Sequence, residues 1–394
     1  MDAACPAGPI LTFDRCPVCD GAGGTRVSRY NRFILFDEAP DAVAAVYHYT
    51  LCHTCGIVYA ARRPAGERHR WLLDRFEESL GRATPGTTRA GKVAIASTAL
   101  TDDTREQLRL RASHGVFVSE HSGLSRKDYL PALANDRLAA SQHAEIIGSL
   151  LPLDAPRVLE IRSKLGSLSA ILTRLYRASC SVMTIFENQR FLAEEVYGLP
   201  AAWPIDFDQF SIPFEGTFDL IVSNHMLTHA VHPRAFLDTV RSRLAPGGHL
   251  YLYQEPLETE FLERGKSMFN TLNPFHLQTF NAPSLVRALE ASGFEVLFSR
   301  VADDLFLGLA RLRQDASTPW TPMGDSERAR RRSAYRAAND TAILRVPEHL
   351  RQPFAEEWDA TVARAVSAGL ATVDARGRVR VRRESTVHDD SPLH

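Results

Sequence analysis

From about Leu138 to Arg300 short apolar runs alternate with helical segments, and this alternation constrains the fold more than any other feature of the chain. A helix over AASQHAEIIGSLL leads to the strand RVLEI. The helix SLSAILTRLYR, the strand SVMTIFE and the helix NQRFLAEEVYG follow. After a loop come the strand FDLIVSN, the helix PRAFLDTVRSRL, the turn Ala245-Pro246-Gly247-Gly248 and the strand HLYLYQE. A helix over APSLVRALEAS, Gly293 and the strand FEVLFSR close the pattern. Strands separated by helices need crossovers, which are right-handed and leave the strands parallel. The strands are continuous apolar runs, as strands covered on both faces are. The fold class is therefore α/β, a doubly wound and mostly parallel Rossmann-like sheet. Its ligand crevice lies beyond the C-terminal strand ends.

That geometry nominates residues for a nucleoside site. The loop from Glu160 to Gly166, in VLEIRSKLGSLSAIL, lies under the ligand. Glu187, ending the second strand, is placed to accept hydrogen bonds from both ribose hydroxyls. Asp206 in AAWPIDFDQF is placed for an adenine amino group, with Asp208 as the alternative. Asn224, just past FDLIVS, faces the reactive end of the ligand. Each of these acids can equally be a solvated loop carboxylate, and that reading stays open.

Five of the six cysteines fall in the first 55 residues. Two knuckles stand out, Cys16-Pro17-Val18-Cys19 and Cys52-His53-Thr54-Cys55-Gly56. Four thiolates so paired give a closed tetrahedral zinc site, structural because no position is left for water. Alternating apolar residues around the second knuckle, VYHYTLCHTCGIVYA, read as ribbon strands. A redox pair would need one knuckle at a helix N-terminus. His53 lies inside its knuckle and is expected to point outward, and Cys180 reads as a small core residue.

Four regions result: a zinc ribbon over 1–62, a helical and mixed connection over 63–137, the Rossmann-like domain over 138–312, and a small α+β segment over 313–394. In the connection a helix is expected over RHRWLLDRFEESLGR and another over TDDTREQLRLRAS. VAIAST and GVFVSE read as short strands or extended loops. The last region holds the basic helix SERARRRSAYRAAND, the helix FAEEWDATVARAVSAG and a hairpin turning at Arg376-Gly377, then the tail STVHDDSPLH. The basic helix is read as a solvated face, because Asp325, Glu327 and Asp340 dilute its charge. A formal net charge of -1 gives no overall field toward nucleic acid or an acidic membrane. No apolar run has the length of a membrane span and no secretory signal opens the sequence, so a cytoplasmic protein is expected.

The stretch from about 140 to 300 resembles the class I S-adenosylmethionine-dependent methyltransferases. The resemblance rests on RVLEI followed by Gly166, on Glu187, and on PFEGTFDLIVSNHMLTHAVHPRAFLDTVRSRLAPGGHLYLYQEP with ASGFEV. The ribbon, ending in L-C-x-x-C-G, is similar to the zinc-binding N-terminal region of sugar C-methyltransferases and related tailoring enzymes. The resemblance implies S-adenosyl-L-methionine as cofactor, structural Zn2+, and methyl transfer to a small molecule or a sugar nucleotide. It also implies a candidate general base at His276, in FNTLNPFHLQTFNAPSL, and places His225 and His229 beside the transfer site. A histidine packed beneath a lid is the other reading of His276.

One departure is marked. The family's loop is E-x-G-x-G-x-G, and here Arg162 and Lys164 stand where the first two glycines would be. A non-glycine residue in such a conformation costs about 1–3 kcal/mol, which a large domain tolerates. The alternative function is a methyltransferase fold with lost or altered cofactor binding, acting as a scaffold or protein-binding partner.

Overall fold

The computed structural model describes residues 9–28, 47–65, 67, 69, 126–163, 166–185, 187–257, 262, 272, 276–302, 305–313, 320, 322–342, 371–373 and 379–381. The expected helices and strands between 70 and 125, the helix over 354–369 and the terminal tail lie outside these residues. The chain divides into two compact units. The first takes Met1–Phe76, Pro256–Ala288 and Pro319–His394, and the second takes Glu77–Glu255 and Leu289–Thr318.

In chain order the elements begin with β1 (Ile10–Thr12), β2 (Gly24–Ser28), β3 (His48–Cys52) and β4 (Val58–Pro64). Helix α1 (Arg126–Leu150) then precedes β5 (Arg157–Ile161), α2 (Ser167–Tyr176) and β6 (Ser179–Met183). Next come α3 (Glu187–Phe191), continued by a π-helical turn over Leu192–Val196, then β7 (Ala201–Ala202) and β8 (Phe218–Asn224). Helix α4 (Pro233–Arg243), β9 (Leu244–Pro256), β10 (Gln278–Thr279) and α5 (Ala282–Ala291) follow. The last are β11 (Phe294–Ala302), β12 (Leu305–Leu312), α6 (Asp325–Ala342), β13 (Ala371–Val373) and β14 (Val379–Val381).

The second unit holds a seven-stranded sheet in the order β11-β12-β9-β8-β5-β6-β7. Strands β5 to β9 pair in parallel, and β11 runs antiparallel to β12. Val158, Leu159, Leu220, Ile221, Val222, Leu250 and Leu252 are wholly buried, so the central strands are covered on both faces as their composition predicts. Each such side chain contributes about 1.5–3 kcal/mol, so the sheet outweighs a few strained residues at its rim. Helix α4 starts with Pro233 and ends with Arg241 and Arg243, which suit the two poles of its dipole. A Cβ on Gly248 would meet Ala245 O at 2.8 Å, and Gly247 has φ 74, which together account for the glycine pair after α4. Cys180 is buried in the core, as read from its surroundings in the chain.

Two differences from the sequence reading concern strand ends. The second strand stops at Met183, because the Ile185 N–H donates to Gln189 Oε1 at 3.2 Å and the backbone turns into α3. Glu187 therefore opens α3 instead of ending the strand. Strand β12 was not expected. The run LFLGLARL pairs antiparallel with β11, with Ala302 opposite Leu305.

In the first unit β1, β4, β3 and β2 form one antiparallel sheet, and β10 pairs with β4 through Gln278–Tyr59 and Thr279–Val58. Helix α6 packs on β2. Its basic face is not uniformly solvated: Arg331 is wholly buried and Tyr335 nearly so, four residues apart on the inward stripe with Ala338. The hairpin is present, with Thr372 opposite Arg380.

Candidate active site and metal centre

The crevice side of the second unit is built by the ends of β5 and β8. Ile161 pairs with Ser223, so the next residues, Arg162 and Asn224, stand side by side. Arg162 adopts φ 60 and His225 φ 53, both in the left-handed region that L side chains disfavour. Arg162 Nη1 donates to His225 O at 3.0 Å, and Asn224 Nδ2 donates to Arg162 O at 3.3 Å. Ser163 N–H donates to Met183 O at 2.9 Å, and Ser163 Oγ accepts from Gly166 N–H at 3.0 Å. Gly166 has φ 78, and a Cβ there would lie 3.1 Å from the Tyr197 ring. This glycine is required by conformation. Lys164 lies outside the described residues, as does the side chain of Glu187.

Glu160, expected at the cofactor, is buried and engaged by the chain's own donors. Its Oε2 accepts from Ser169 Oγ at 2.6 Å and Ser169 N–H at 3.2 Å, and its Oε1 accepts from Tyr253 Oη at 3.2 Å. A carboxylate at the first turn of α2 is favoured by the helix dipole. Glu160 thus ties β5 to α2 and β9 beneath the loop. Beside it His143 Nδ1 meets Tyr251 Oη at 2.9 Å.

Asp206 is exposed, and its Oδ1 accepts from the N–H groups of Asp208 and Gln209 at 2.8 and 3.0 Å, a local Asx turn. Asp208 pairs with His232 at 3.4 Å. Trp203, which the sequence reading passed over, stands 43% exposed in this loop, with its indole N–H on Ile185 O at 2.9 Å and Arg190 over its ring. A tryptophan in a loop just past a strand was the available signal. The His225 and His229 rings are 4.6 Å apart by centroid, and Phe207 lies against His229.

Besides Ser223 Oγ within β8, two buried polar atoms at the end of β8 and the start of α2 have no hydrogen-bond partner among the described residues, Asn224 Oδ1 and Ser167 Oγ. A buried acceptor left unmade costs about 1–3 kcal/mol. Both atoms suit a ligand carrying amino and carboxylate groups.

The second candidate centre is the cysteine cluster of the first unit. Cys16 Sγ lies 3.6 Å from Cys55 Sγ, and Cys19 Sγ lies 3.6 Å from Cys52 Sγ. All four sulfurs fall within 4.8 Å of one another, and none is in a disulfide. A tetrahedron with Zn–S bonds of about 2.3 Å has S–S edges of about 3.8 Å, so the donor set fits that ion. Both knuckles turn alike: Asp20 N–H donates to Cys16 O at 2.9 Å and Gly56 N–H to Cys52 O at 3.0 Å, and Asp20 and Gly56 are both left-handed. His53 is directed to Thr25 Oγ1 at 2.7 Å and is not among the clustered ligands. Burial pushes the Cys55 thiol up, while the neighbouring Cys16 thiol pulls Cys52 down.

Around this cluster the sequence reading missed a set of polar partners. Arg287 donates through Nε and Nη2 to Cys55 O at 3.2 and 3.1 Å, and grips Glu327 with both terminal nitrogens at 2.9 and 3.1 Å. Asn281 Nδ2 also donates to Glu327, at 3.0 Å, and Met323 N–H donates to Thr54 O at 2.8 Å. Burial acts to raise the Glu327 carboxyl, but the Arg287 fork and Asn281 hold it below its ordinary value. A carboxylate so lowered stabilises the fold above its unfolded value of about 4.5 and loses that contribution as pH falls through the folded value. We expect α6 to loosen below that pH in hydrogen exchange. Arg287→Ala should remove most of this acid dependence.

His276 is buried in the first unit, one residue before Leu277, whose carbonyl accepts from Ala60 N–H at 2.8 Å. His225 belongs to the second unit.

Residues 132–298 match the family model of a methyltransferase domain, and the sheet order with its antiparallel last pair is that of the class I fold. This span is a methyltransferase domain. Among solved structures, a methyltransferase from Methanosarcina mazei is similar at 21% identity and TM-score 0.36, over 43% of this chain and 98% of that one. The N-methyltransferase NodS of Bradyrhizobium japonicum, solved with S-adenosyl-L-homocysteine, is similar at 19% identity and TM-score 0.34, over 45% and 86%. The 1,6-didemethyltoxoflavin-N1-methyltransferase of Burkholderia thailandensis is similar at 16% identity and TM-score 0.36, over 55% and 93%. No curated protein matches the chain by sequence. No helix among the described residues is long and apolar enough to cross a membrane.

Proposed function

We propose that the protein is an S-adenosylmethionine-dependent methyltransferase acting on a small molecule or a sugar nucleotide, with a structural zinc ion on Cys16, Cys19, Cys52 and Cys55. The observation that carries the donor assignment is the buried, unsatisfied Asn224 Oδ1 at the end of β8, inside a methyltransferase domain. The cofactor would supply an electrophilic methyl group on a sulfonium. Asn224 Oδ1 would accept from its amino group, and Ser167 Oγ, at the start of α2, from the same end of the molecule or donate to its carboxylate. Glu187 would accept from the ribose hydroxyls. Asp206, with Oδ1 held by two backbone N–H groups, would present Oδ2 to the adenine amino group. Gly166 gives the loop its close approach, and Glu160 supports that loop from below.

His225 would take the proton that the acceptor releases as its nucleophile bonds to the methyl carbon, and His276 is the second candidate for that task. A neutral imidazole suits this transfer near neutral pH. The rest of the rate enhancement would come from alignment of the two reactants.

Calorimetric titration with S-adenosyl-L-methionine and S-adenosyl-L-homocysteine tests the reading. We expect micromolar binding, weakened at least tenfold in Glu187→Ala and in Asn224→Ala. A folded, zinc-loaded protein that binds neither compound at millimolar concentration would instead be a scaffold with a methyltransferase fold. Elemental analysis should give one zinc per chain, and a cysteine cluster purified without metal would refute the zinc assignment.

A further inference from the structure

We propose that Arg162 is a positioning residue that fixes the His225 imidazole by holding His225 in the left-handed conformation. The inference deepens the proposed function, since it rests on His225 as the proton acceptor of that site.

Two strand ends that are neighbours in the sheet carry a non-glycine residue at positive φ, Arg162 after β5 and His225 after β8. Such residues persist only where their surroundings over-determine them, and they gather at functional sites. His225 meets that condition from both sides of its backbone. Its N–H donates to Tyr253 O on β9 at 3.1 Å, and its carbonyl accepts from the Arg162 guanidinium at 3.0 Å. Arg162 is held in turn, because its own carbonyl accepts from Asn224 Nδ2 at 3.3 Å. The two bonds run in opposite directions across one parallel strand pair, just beyond the last paired residues, Ile161 and Ser223. They form a reciprocal latch between the loop expected under the donor and the loop expected at the acceptor.

Glycine cannot do this. At position 162 it would take positive φ without strain, but it offers no side chain to reach the His225 carbonyl. Arg162 therefore exchanges an unstrained turn for a strut. Without the strut the His225 carbonyl loses its bond from the β5 side while its N–H keeps the bond to Tyr253, and a histidine released from one side relaxes toward the right-handed or extended basins. Its Cβ then points elsewhere, and the ring leaves its place 4.6 Å from the His229 ring. The guanidinium reaches that carbonyl through one nitrogen, Nη1, and a lysine ammonium on its flexible stem would restore part of that hold.

The test uses the full chain and needs no acceptor. Carbon–proton correlation spectra of the histidine rings are recorded for the native protein, Arg162→Gly, Arg162→Ala and Arg162→Lys, with the His225 peak assigned from His225→Gln. We expect the His225 ring peak to move or broaden in the Gly and Ala variants while the His143 peak stays in place, and the Lys variant to return the His225 peak part of the way. A His225 peak unmoved in the folded Gly variant would overturn the proposal. Should that variant not fold, an unmoved peak in the folded Arg162→Ala variant would do the same, because alanine has no donor to reach the His225 carbonyl. Failure of the native protein to bind S-adenosyl-L-homocysteine would remove the proposed function, and the ring-peak result would still report on the latch.

Discussion

If the cysteine cluster holds the proposed zinc, its removal by a strong chelator, or Cys52→Ser, will unfold the ribbon sheet of β1 to β4 and release α6 with it. Structural zinc contributes about 10–16 kcal/mol of binding free energy in small cysteine sites, against a typical domain stability of about 5–15 kcal/mol. The loss is therefore as large as the stability of the unit that holds the ion. Cys52, which ends β3, and Cys55, in the turn before β4, are wholly buried, so thiols left without an ion would face one another away from solvent. The release of α6 follows from Arg287, which joins the carbonyl of a cysteine ligand to Glu327 on that helix. Hydrogen exchange measured with and without chelator should show protection lost across 48–64 and 325–338 together. Protection retained in both segments after complete chelation would show that the ribbon stands without metal.

The second large effect is expected at Glu160. Glu160→Ala should destabilise the methyltransferase domain by about 3–5 kcal/mol, since three hydrogen bonds to a buried charged acceptor are lost and they are not strictly additive. The change leaves the Tyr253 hydroxyl and both Ser169 donors without their acceptor in a closed core. Glu160→Gln keeps an acceptor oxygen of the same size and should cost about 1–2 kcal/mol. Equilibrium denaturation followed by ligand titration distinguishes the two uses of this residue. A residue that supports the loop lowers stability in both variants, and binding falls only as the loop loosens. An Ala variant as stable as the native chain would refute the supporting role.

Periodicity and spacing made much of the molecule legible. The alternation between 138 and 300 foretold the parallel sheet, because a strand covered on both faces must be apolar throughout and a crossover must be helical. The cysteine pairs foretold their cluster, because chemistry fixes the C-x-x-C turn locally. Contacts made across long separations were not legible. Nothing near Arg287 points to Cys55, 232 residues away. Arg331 reads as one more solvated cation in a basic run until α6 is laid on β2 and the residue is found wholly buried. Strand β12 was missed because its partner β11 is adjacent in sequence, so no helix announced a crossover. At Arg162 the residue type stood out, but its left-handed backbone and its hold on His225 depend on β8, more than fifty positions further along.

The interleaving of the two units sets an order of events during synthesis. The methyltransferase sheet lacks only β11 and β12 once β9 has emerged, while the ribbon sheet must wait for Arg287 and then Glu327 before its second knuckle is braced. At about 5–20 residues per second, the 232 residues between Cys55 and Arg287 take roughly 12–46 s to appear. For that interval the nascent thiols stand without the brace, and early capture of an ion is what would protect them from oxidation and mispairing on the ribosome.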